Sequence, residues 1–355
     1  IGATTLVSAF LVGFHKDEQS TEAAWKYILL CSVGITLALF GIALMYASMP
    51  AGGHEFSSLD WPYLVACASQ LDPVLIKFAA VFILLGYGTK MGLAPMHPWL
   101  PDAHSQAPTP ISAKMTGVLL NCAMYGIIRF YTISEITVPG FAKMVLLVFG
   151  LISVLVAAAF ILKAKNLKRM LAYSSIENMG LVALGLGIGT DAAIFAVLLQ
   201  ILAHSISKPL MFFAAGNVVQ AYGTKEMAAI HGVSKTMPFT ACMMAAGVLA
   251  ISGAPPFAMF VSDVALISGL ISGGQITVMI IVVLLLIVIF AGLARNIIPK
   301  QSRDTEMEDH PTKGMSRAVP MAILLTAAVF LGLIMPDRIS DVLVEIVKTI
   351  TGGFI

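Results

Sequence analysis

Apolar residues occupy this chain in long blocks separated by short polar joints: 1–13, 24–48, 72–100, 110–133, 140–163, 168–188, 192–221, 236–271, 275–298 and 317–335. A helix that crosses the roughly 30 Å hydrocarbon layer of a bilayer needs about 20 consecutive apolar residues. Most blocks reach that length, so the pattern predicts transmembrane helices and a multi-pass membrane protein. A weakly amphipathic tail follows at 337–350. Ile1 already lies inside an apolar block, with no initiator Met and no basic signal-peptide start, so the chain is expected to continue upstream.

Two blocks, 72–100 and 236–271, are too long for one simple crossing. Gly92-Leu93-Ala94-Pro95, with further prolines up to Pro110, interrupts the first, and Gly253-Ala254-Pro255-Pro256 the second. Both are predicted to be broken helices. Proline removes a backbone donor and frees a carbonyl, and such backbone persists at membrane depth only inside protein or beside water. Interruptions at matching places are also the mark of an inverted repeat.

Composition agrees with the pattern. Hydrophobic residues make up 58% of the 355 and charged residues 11%, and mean hydropathy is +0.92; a soluble domain carries about 25% charged residues. A soluble enzyme is excluded. A net charge of +2 makes no basic field for nucleic acid, so the partners are sought in the bilayer. Cys31, Cys67, Cys122 and Cys242 stand far apart in apolar runs, indicating packing and neither disulfides nor a thiolate metal site. Basic residues orient the chain by the positive-inside rule. Lys16, Lys26, Lys163, Lys165, Lys168, Arg169, Lys225, Lys235, Arg295, Lys300, Arg303, Lys313 and Arg317 fall on one side, against Arg129, Lys143, Arg338 and Lys348 on the other. The first side is expected to be cytoplasmic and the C-terminal tail opposite it. The linker 299–317, with Arg303, Asp304, Glu306, Glu308 and Asp309, reads as a solvated loop.

The remaining lysines, Lys77, Lys90, Lys114 and Lys208, fall within apolar blocks. A lysine at a helix centre costs about 2.5 to 3.5 kcal/mol on insertion scales, so it persists where it faces a polar interior, a counter-charge, or a state in which it sheds its proton. Lys90 stands where the first broken helix breaks, within reach of freed carbonyls and water. His204 and Lys208 are one helical turn apart, with Ser205 and Ser207 nearby, and Pro209 removes the amide that would have bonded the Ser205 carbonyl. Lys114 and Asn121, seven residues apart, are expected to share a helix face, either as relay groups or as interhelical hydrogen-bonding ties. Lys77, close to Asp72-Pro73, is expected to snorkel. Among the acids, Asp263 follows the second break and Glu177 lies in the polar run Ser174-Ser175-Ile176-Glu177-Asn178, and both are candidate relay groups. His97, Asp102 and His104 lie in the first break without tight metal-ligand spacing, which favours a polar gate or proton route over a metal.

Three runs resemble a known family. Residues 90–113 (Lys-Met-Gly-Leu-Ala-Pro-Met-His-Pro-Trp-Leu-Pro-Asp-Ala-His-Ser-Gln-Ala-Pro-Thr-Pro-Ile-Ser-Ala), 166–177 (Asn-Leu-Lys-Arg-Met-Leu-Ala-Tyr-Ser-Ser-Ile-Glu) and 203–217 (Ala-His-Ser-Ile-Ser-Lys-Pro-Leu-Met-Phe-Phe-Ala-Ala-Gly-Asn) are similar to the antiporter-like membrane subunits shared by respiratory complex I, multisubunit cation/proton antiporters and energy-converting membrane hydrogenases. The wording of 174–180 looks most like the hydrogenase-4 or formate hydrogenlyase type. The resemblance implies an all-α polytopic membrane protein with inverted five-helix repeats, each containing one broken transmembrane helix. Residues 1–133 would be the remainder of the first repeat, 140–298 the second, and 299–355 a polar loop, a last helix and a tail. It implies that Lys90 is the broken-helix lysine, Lys208 the central lysine with His204 beside it, and Asp263 the acidic exit position. Two positions depart from the family: Gly2 stands where a glutamate partner of the broken-helix lysine is expected, and Asn121 where several members carry Lys or His.

Three functions are therefore expected in order: a proton-translocating subunit of a membrane redox complex, a cation/proton antiporter subunit moving protons or Na+, and a non-pumping membrane anchor. In the first, this chain in the cytoplasmic membrane carries no cofactor and no catalytic centre. Iron-sulfur clusters, a nickel-iron site or quinone would belong to partner membrane and peripheral subunits of an oxidoreductase complex.

Overall fold

A computed structural model describes the backbone of residues 2–50, 60–302 and 315–352 and the side chains of 2–50, 60–298 and 318–352. The helices are α1 (Gly2–Val12), α2 (Glu18–Ala47), α3 (Trp61–Ala66), α4 (Pro73–Met91), α5 (Trp99–Gln106), α6 (Thr109–Lys114), α7 (Leu120–Thr137), α8 (Phe141–Lys163), α9 (Leu167–Ile188), α10 (Asp191–Tyr222), α11 (Val233–Thr236), α12 (Pro238–Ile251), α13 (Ala258–Ser272), α14 (Ile276–Ser302), α15 (Met315–Leu333) and α16 (Asp337–Thr351). Among the described residues no extended sheet forms, and seven helices are long and apolar enough to cross a membrane. The predicted block 236–271 is α12 and α13, each too short to cross alone. Block 317–335 becomes α15, bent by 71° into the amphipathic α16, whose Leu343, Val347 and Ile350 are buried. Of the mixed-charge linker 299–317, residues 299–302 continue α14 and 315–317 begin α15, helix where a loop was expected, and 303–314 lie outside the described residues.

Local chemistry sets the helix ends. Asp17 accepts from the Ser20 amide at 2.7 Å to start α2, and Asp72, followed by Pro73, accepts from Val74 and Leu75 at 2.8 and 3.0 Å to start α4. Asn166 does the same for Arg169 in α9 at 3.1 Å. These caps satisfy amides that have no carbonyl one turn back. At the first break Gly92 has φ +82°, a left-handed geometry that favours a residue without Cβ and turns the chain out of α4. The Trp99 indole then donates to the Thr89 carbonyl at 2.7 Å, and the Ser153 hydroxyl of α8 accepts from the Ala94 amide at 2.9 Å. The exposed backbone of the break is thus satisfied inside protein, as a low-dielectric setting demands.

Helices meet closely where side chains are small. Gly34 and Gly41 on α2 face Gly86 and Ala79 on α4, and Gly150 on α8 faces Gly180 on α9. Contact through glycine lets backbones approach, which replaces the hydrophobic driving force that is missing between helices in lipid. The consequence is the burial of α9: 94% of its apolar window lies inside the protein, against 22% for α14. A helix enclosed on all sides can carry Ser174, Ser175, Glu177 and Asn178 at membrane depth without exposing them to lipid.

Candidate functional site

The first cluster surrounds Lys90, in the last turn of α4 and 1% exposed. Its ammonium donates to Thr5 Oγ1 at 2.7 Å and to Tyr27 Oη at 2.5 Å, and lies 4.4 Å from the centroid of the Tyr27 ring and 5.9 Å from that of Trp99. Among the described residues no carboxylate pairs with it. Gly2 is exposed and its Cα faces open space, while Thr5 on the same helix reaches the lysine. Two hydroxyls and two aromatic faces thus stand where the family pattern led one to expect an acid. Thr5 and Tyr27 carry no signal in a hydropathy plot; only the packing of α1 and α2 on α4 reveals them. Removing one hydroxyl leaves a buried donor unpaired, which costs about 1 to 3 kcal/mol. Tyr27→Phe is therefore expected to lower stability by that amount, read as a fall in the melting temperature of the purified protein, with Thr5→Val smaller because Tyr27 still holds the charge.

The second cluster is built by α5, α9, α10 and α13. His104 is fully buried, its ring stacked on Phe212 at 5.2 Å and 3.4 Å from the Thr116 hydroxyl. His204 is fully buried with neither ring nitrogen hydrogen-bonded among the described residues. One turn further, Lys208 donates to Ser174 Oγ and to the Leu171 carbonyl at 3.2 Å, both on α9. Lys208 acts electrostatically on His104, His204 and Glu177, and Asp263 acts on Glu177. Glu177 Oε2 and Asp263 Oδ1 are buried without hydrogen-bond partners among the described residues. The Asp263 carboxylate rests against Gly253 of the second break, in the space a Cβ would fill. Orphaned buried polar atoms are rare because each forfeits its hydration; His204, Glu177 and Asp263 hold four of the ten such atoms among the described residues.

A hydrogen-bonded strip unforeseen in the sequence runs beside this row. Asn178 donates to the Ser174 carbonyl at 2.7 Å, Gln200 donates to Asn178 Oδ1 at 2.6 Å, and the Ser262 hydroxyl donates to Gln200 Oε1. It ties the serine that holds Lys208 to the residue next to Asp263. Gln200 and Ser262 gave no signal because an isolated Gln or Ser in an apolar block is unremarkable until its neighbours are known.

Other candidates land differently. Lys114 is exposed, and Asn121 is half-buried with its amide donating to Ser205 Oγ at 2.6 Å. The expected shared face is lost because Met115–Leu119 form a π-helical turn, and an inserted residue rotates the following helix relative to the preceding one. That turn places Thr116, not Lys114, toward His104. Asp102 sits at the protein surface, where Arg169 donates to it at 2.5 Å and Lys26 at 3.0 Å. Lys168, counted among the cations of the expected cytoplasmic side, is 4% exposed and donates to the Ala107 carbonyl at 3.0 Å. Lys225 donates to Gln106 at 2.6 Å; burial lowers its pKa, opposed by nearby Asp17. The end of α5 is thus clamped by cations from the start of α9 and from the segment after α10. The His97 ring lies in the first break, its Nδ1 buried and without a hydrogen-bond partner among the described residues. Lys77 is exposed, 6.0 Å from the Phe141 ring centroid. Among the described residues no three His, Cys, Asp or Glu side chains converge to hold a metal ion.

Residues 1–289 match the family model described as NADH:quinone oxidoreductase/Mrp antiporter, transmembrane. A hydrogenase-4 component F homolog of Methylacidiphilum infernorum is 43% identical over 270 residues, 76% of this chain and 57% of that protein, so the chain spans little more than half of that relative's length. NADH-quinone oxidoreductase subunit N of Desulforudis audaxviator is 30% identical, covering 96% of this chain and 70% of that protein. A chain of the membrane-bound sulfane sulfur reductase, an archaeal respiratory membrane complex, superposes with a TM-score of 0.88 at 25% identity, over 98% of this chain and 70% of that one.

Proposed function

The chain belongs to the NADH:quinone oxidoreductase/Mrp antiporter transmembrane family, and from that premise we propose that it is the proton-translocating subunit of a redox complex in the cytoplasmic membrane. Its likeness to a hydrogenase-4 component favours a hydrogenase-type or complex I-like assembly over a free-standing antiporter. Electron transfer takes place in partner subunits, which hold the iron-sulfur clusters and any nickel-iron site or quinone. Residues 1–133 form the remainder of one inverted repeat, 140–298 the other, and 299–355 the terminal elements.

The observation that carries this reading is the group of buried His104, His204, Lys208 and Glu177 with half-buried Asp263, built from elements that follow both breaks and holding several buried polar atoms without hydrogen-bond partners among the described residues. A buried amine holds its proton while a carboxylate is near and releases it as that carboxylate is neutralised or drawn away. Charge arriving from a neighbouring subunit shifts Lys90, whose hydroxyl partners solvate the ammonium without neutralising it. Lys208 responds through the row, Glu177 passes the proton on, and Asp263 releases it past the second break. His97, Asp102, Lys114 and Asn121 lie at the margins of this path, as gate or supporting groups.

Sealed vesicles containing the intact complex test it. At matched assembly and electron-transfer turnover, Asp263→Asn is expected to lower proton uptake per electron at least about tenfold, since an amide cannot exchange the proton. Unchanged uptake would exclude Asp263 from the path and favour the anchor reading.

A further inference from the structure

Beside α7 lies a groove of about 980 Å³ whose mainly apolar lining includes Trp61, Tyr87, Val118, Asn121, Tyr125 and Arg129. The Arg129 guanidinium carbon lies 4.1 Å from the Trp61 ring centroid and 4.9 Å from that of Tyr125, and its Nε donates to Tyr125 Oη at 2.6 Å. Two rings fix its plane, yet among the described residues no carboxylate pairs with it. Arg129 stands six residues before Glu135, which pairs with Lys143 at 3.4 Å. Six residues of helix rise about 9 Å. Glu135 and Lys143 line a second, more polar cavity that shares Trp61 and Pro62 with the groove. The arginine therefore lies just below the polar surface, and Asn121 about 12 Å deeper.

An uncompensated, pre-oriented guanidinium above an apolar trough has the shape of an amphiphile's receptor. Arginine presents a planar fork that matches phosphate oxygens, and aromatic residues at a membrane interface hold such headgroups in place. We propose that this groove binds a phospholipid whose headgroup carries a net negative charge: Arg129 holds the phosphate where no choline cation competes with it, and an acyl chain runs over Val118 to the hydrogen bond between Asn121 and Ser205. Ser205 adjoins His204 in the chain, so the acyl chain closes a lateral path between the bilayer and the buried row. The site stands independently of whether that row conducts protons.

The test uses the full-length protein with its natural partner subunits in phosphatidylcholine vesicles. These carry a trace of phosphatidylglycerol bearing a photoreactive acyl terminus, or the matching phosphatidylcholine probe. The phosphatidylglycerol probe is expected to label residues 117–130 about fivefold more than the other, the scale of one charge-assisted contact at an interface. Arg129→Gln should erase that preference, Arg129→Lys should reduce it, and Val118→Trp, which fills the trough, should remove labelling by both probes. If Arg129→Gln does not assemble, the preference in the wild type and its loss in Val118→Trp decide the matter. Equal labelling by both probes means bulk lipid only, and absence of labelling means that a protein segment covers the groove. Either result, or a preference that survives Arg129→Gln, overturns the proposal.

Discussion

Replacing Lys208 by glutamine in the assembled complex is expected to lower proton uptake per electron on the order of 100-fold, the scale of losing one positioned proton-transfer group. Lys208 is fully buried at the centre of the row, donating to Ser174 and Leu171 on α9 and within the electrostatic reach of His104, His204 and Glu177. Glutamine keeps a donor of nearly the same length, so the tie between α10 and α9 largely survives. What it lacks is a proton to exchange and a charge for Glu177 to answer. His204 lies one turn away, and among the described residues neither of its ring nitrogens is hydrogen-bonded to a neighbour of Lys208. The expected signature is a loss of uptake at unchanged electron-transfer rate in the presence of an uncoupler. Full uptake in Lys208→Gln would make the lysine a structural tie and the chain a membrane anchor. A parallel loss in Tyr27→Phe, which acts on Lys90, would place both lysines on one path.

The second large effect is expected at Gly86, where α4 crosses α2. A Cβ there would stand 2.5 Å from the Ala38 amide nitrogen and 2.5 Å from the Gly34 carbonyl oxygen. Alanine in place of a mid-helix glycine ordinarily gains about 1 kcal/mol of helix propensity. Overpacking costs about 1 to 3 kcal/mol where side chains can give way, and here the obstacles are backbone atoms that cannot. Gly86→Ala is therefore expected to destabilise by at least about 2 kcal/mol net, measured by thermal unfolding of the purified complex. The strain acts on function as well, because separating α2 from α4 draws Tyr27 away from Lys90. If the melting temperature rises, propensity has won and the helices have room that the geometry denies. Gly223, whose Cα faces open space but whose φ is +65°, provides a control in which strain comes from the backbone alone.

The sequence by itself determined the class of the protein, the positions of the crossing helices and both breaks, because transfer from water to hydrocarbon is a property of each residue in turn. The ends of α8, α9 and α10 lie within one residue of the blocks read from apolar runs. Lys90, His204, Lys208, Glu177 and Asp263 stood out as candidates for the same reason: a titratable group in an apolar block is costly. Only the tertiary structure decided which groups face one another. Lys114 turned outward because a π-helical turn intervened, and Lys168 turned inward because α9 packs against the end of α5. Thr5 and Tyr27 became partners of Lys90 across 85 and 63 residues of chain. Ser174, Asn178, Gln200 and Ser262 joined into one strip from three helices. Hydropathy fixes whether a residue tolerates lipid, but a hydrogen bond or a counter-charge acts over a few ångströms, and that distance exists only once the helices have packed.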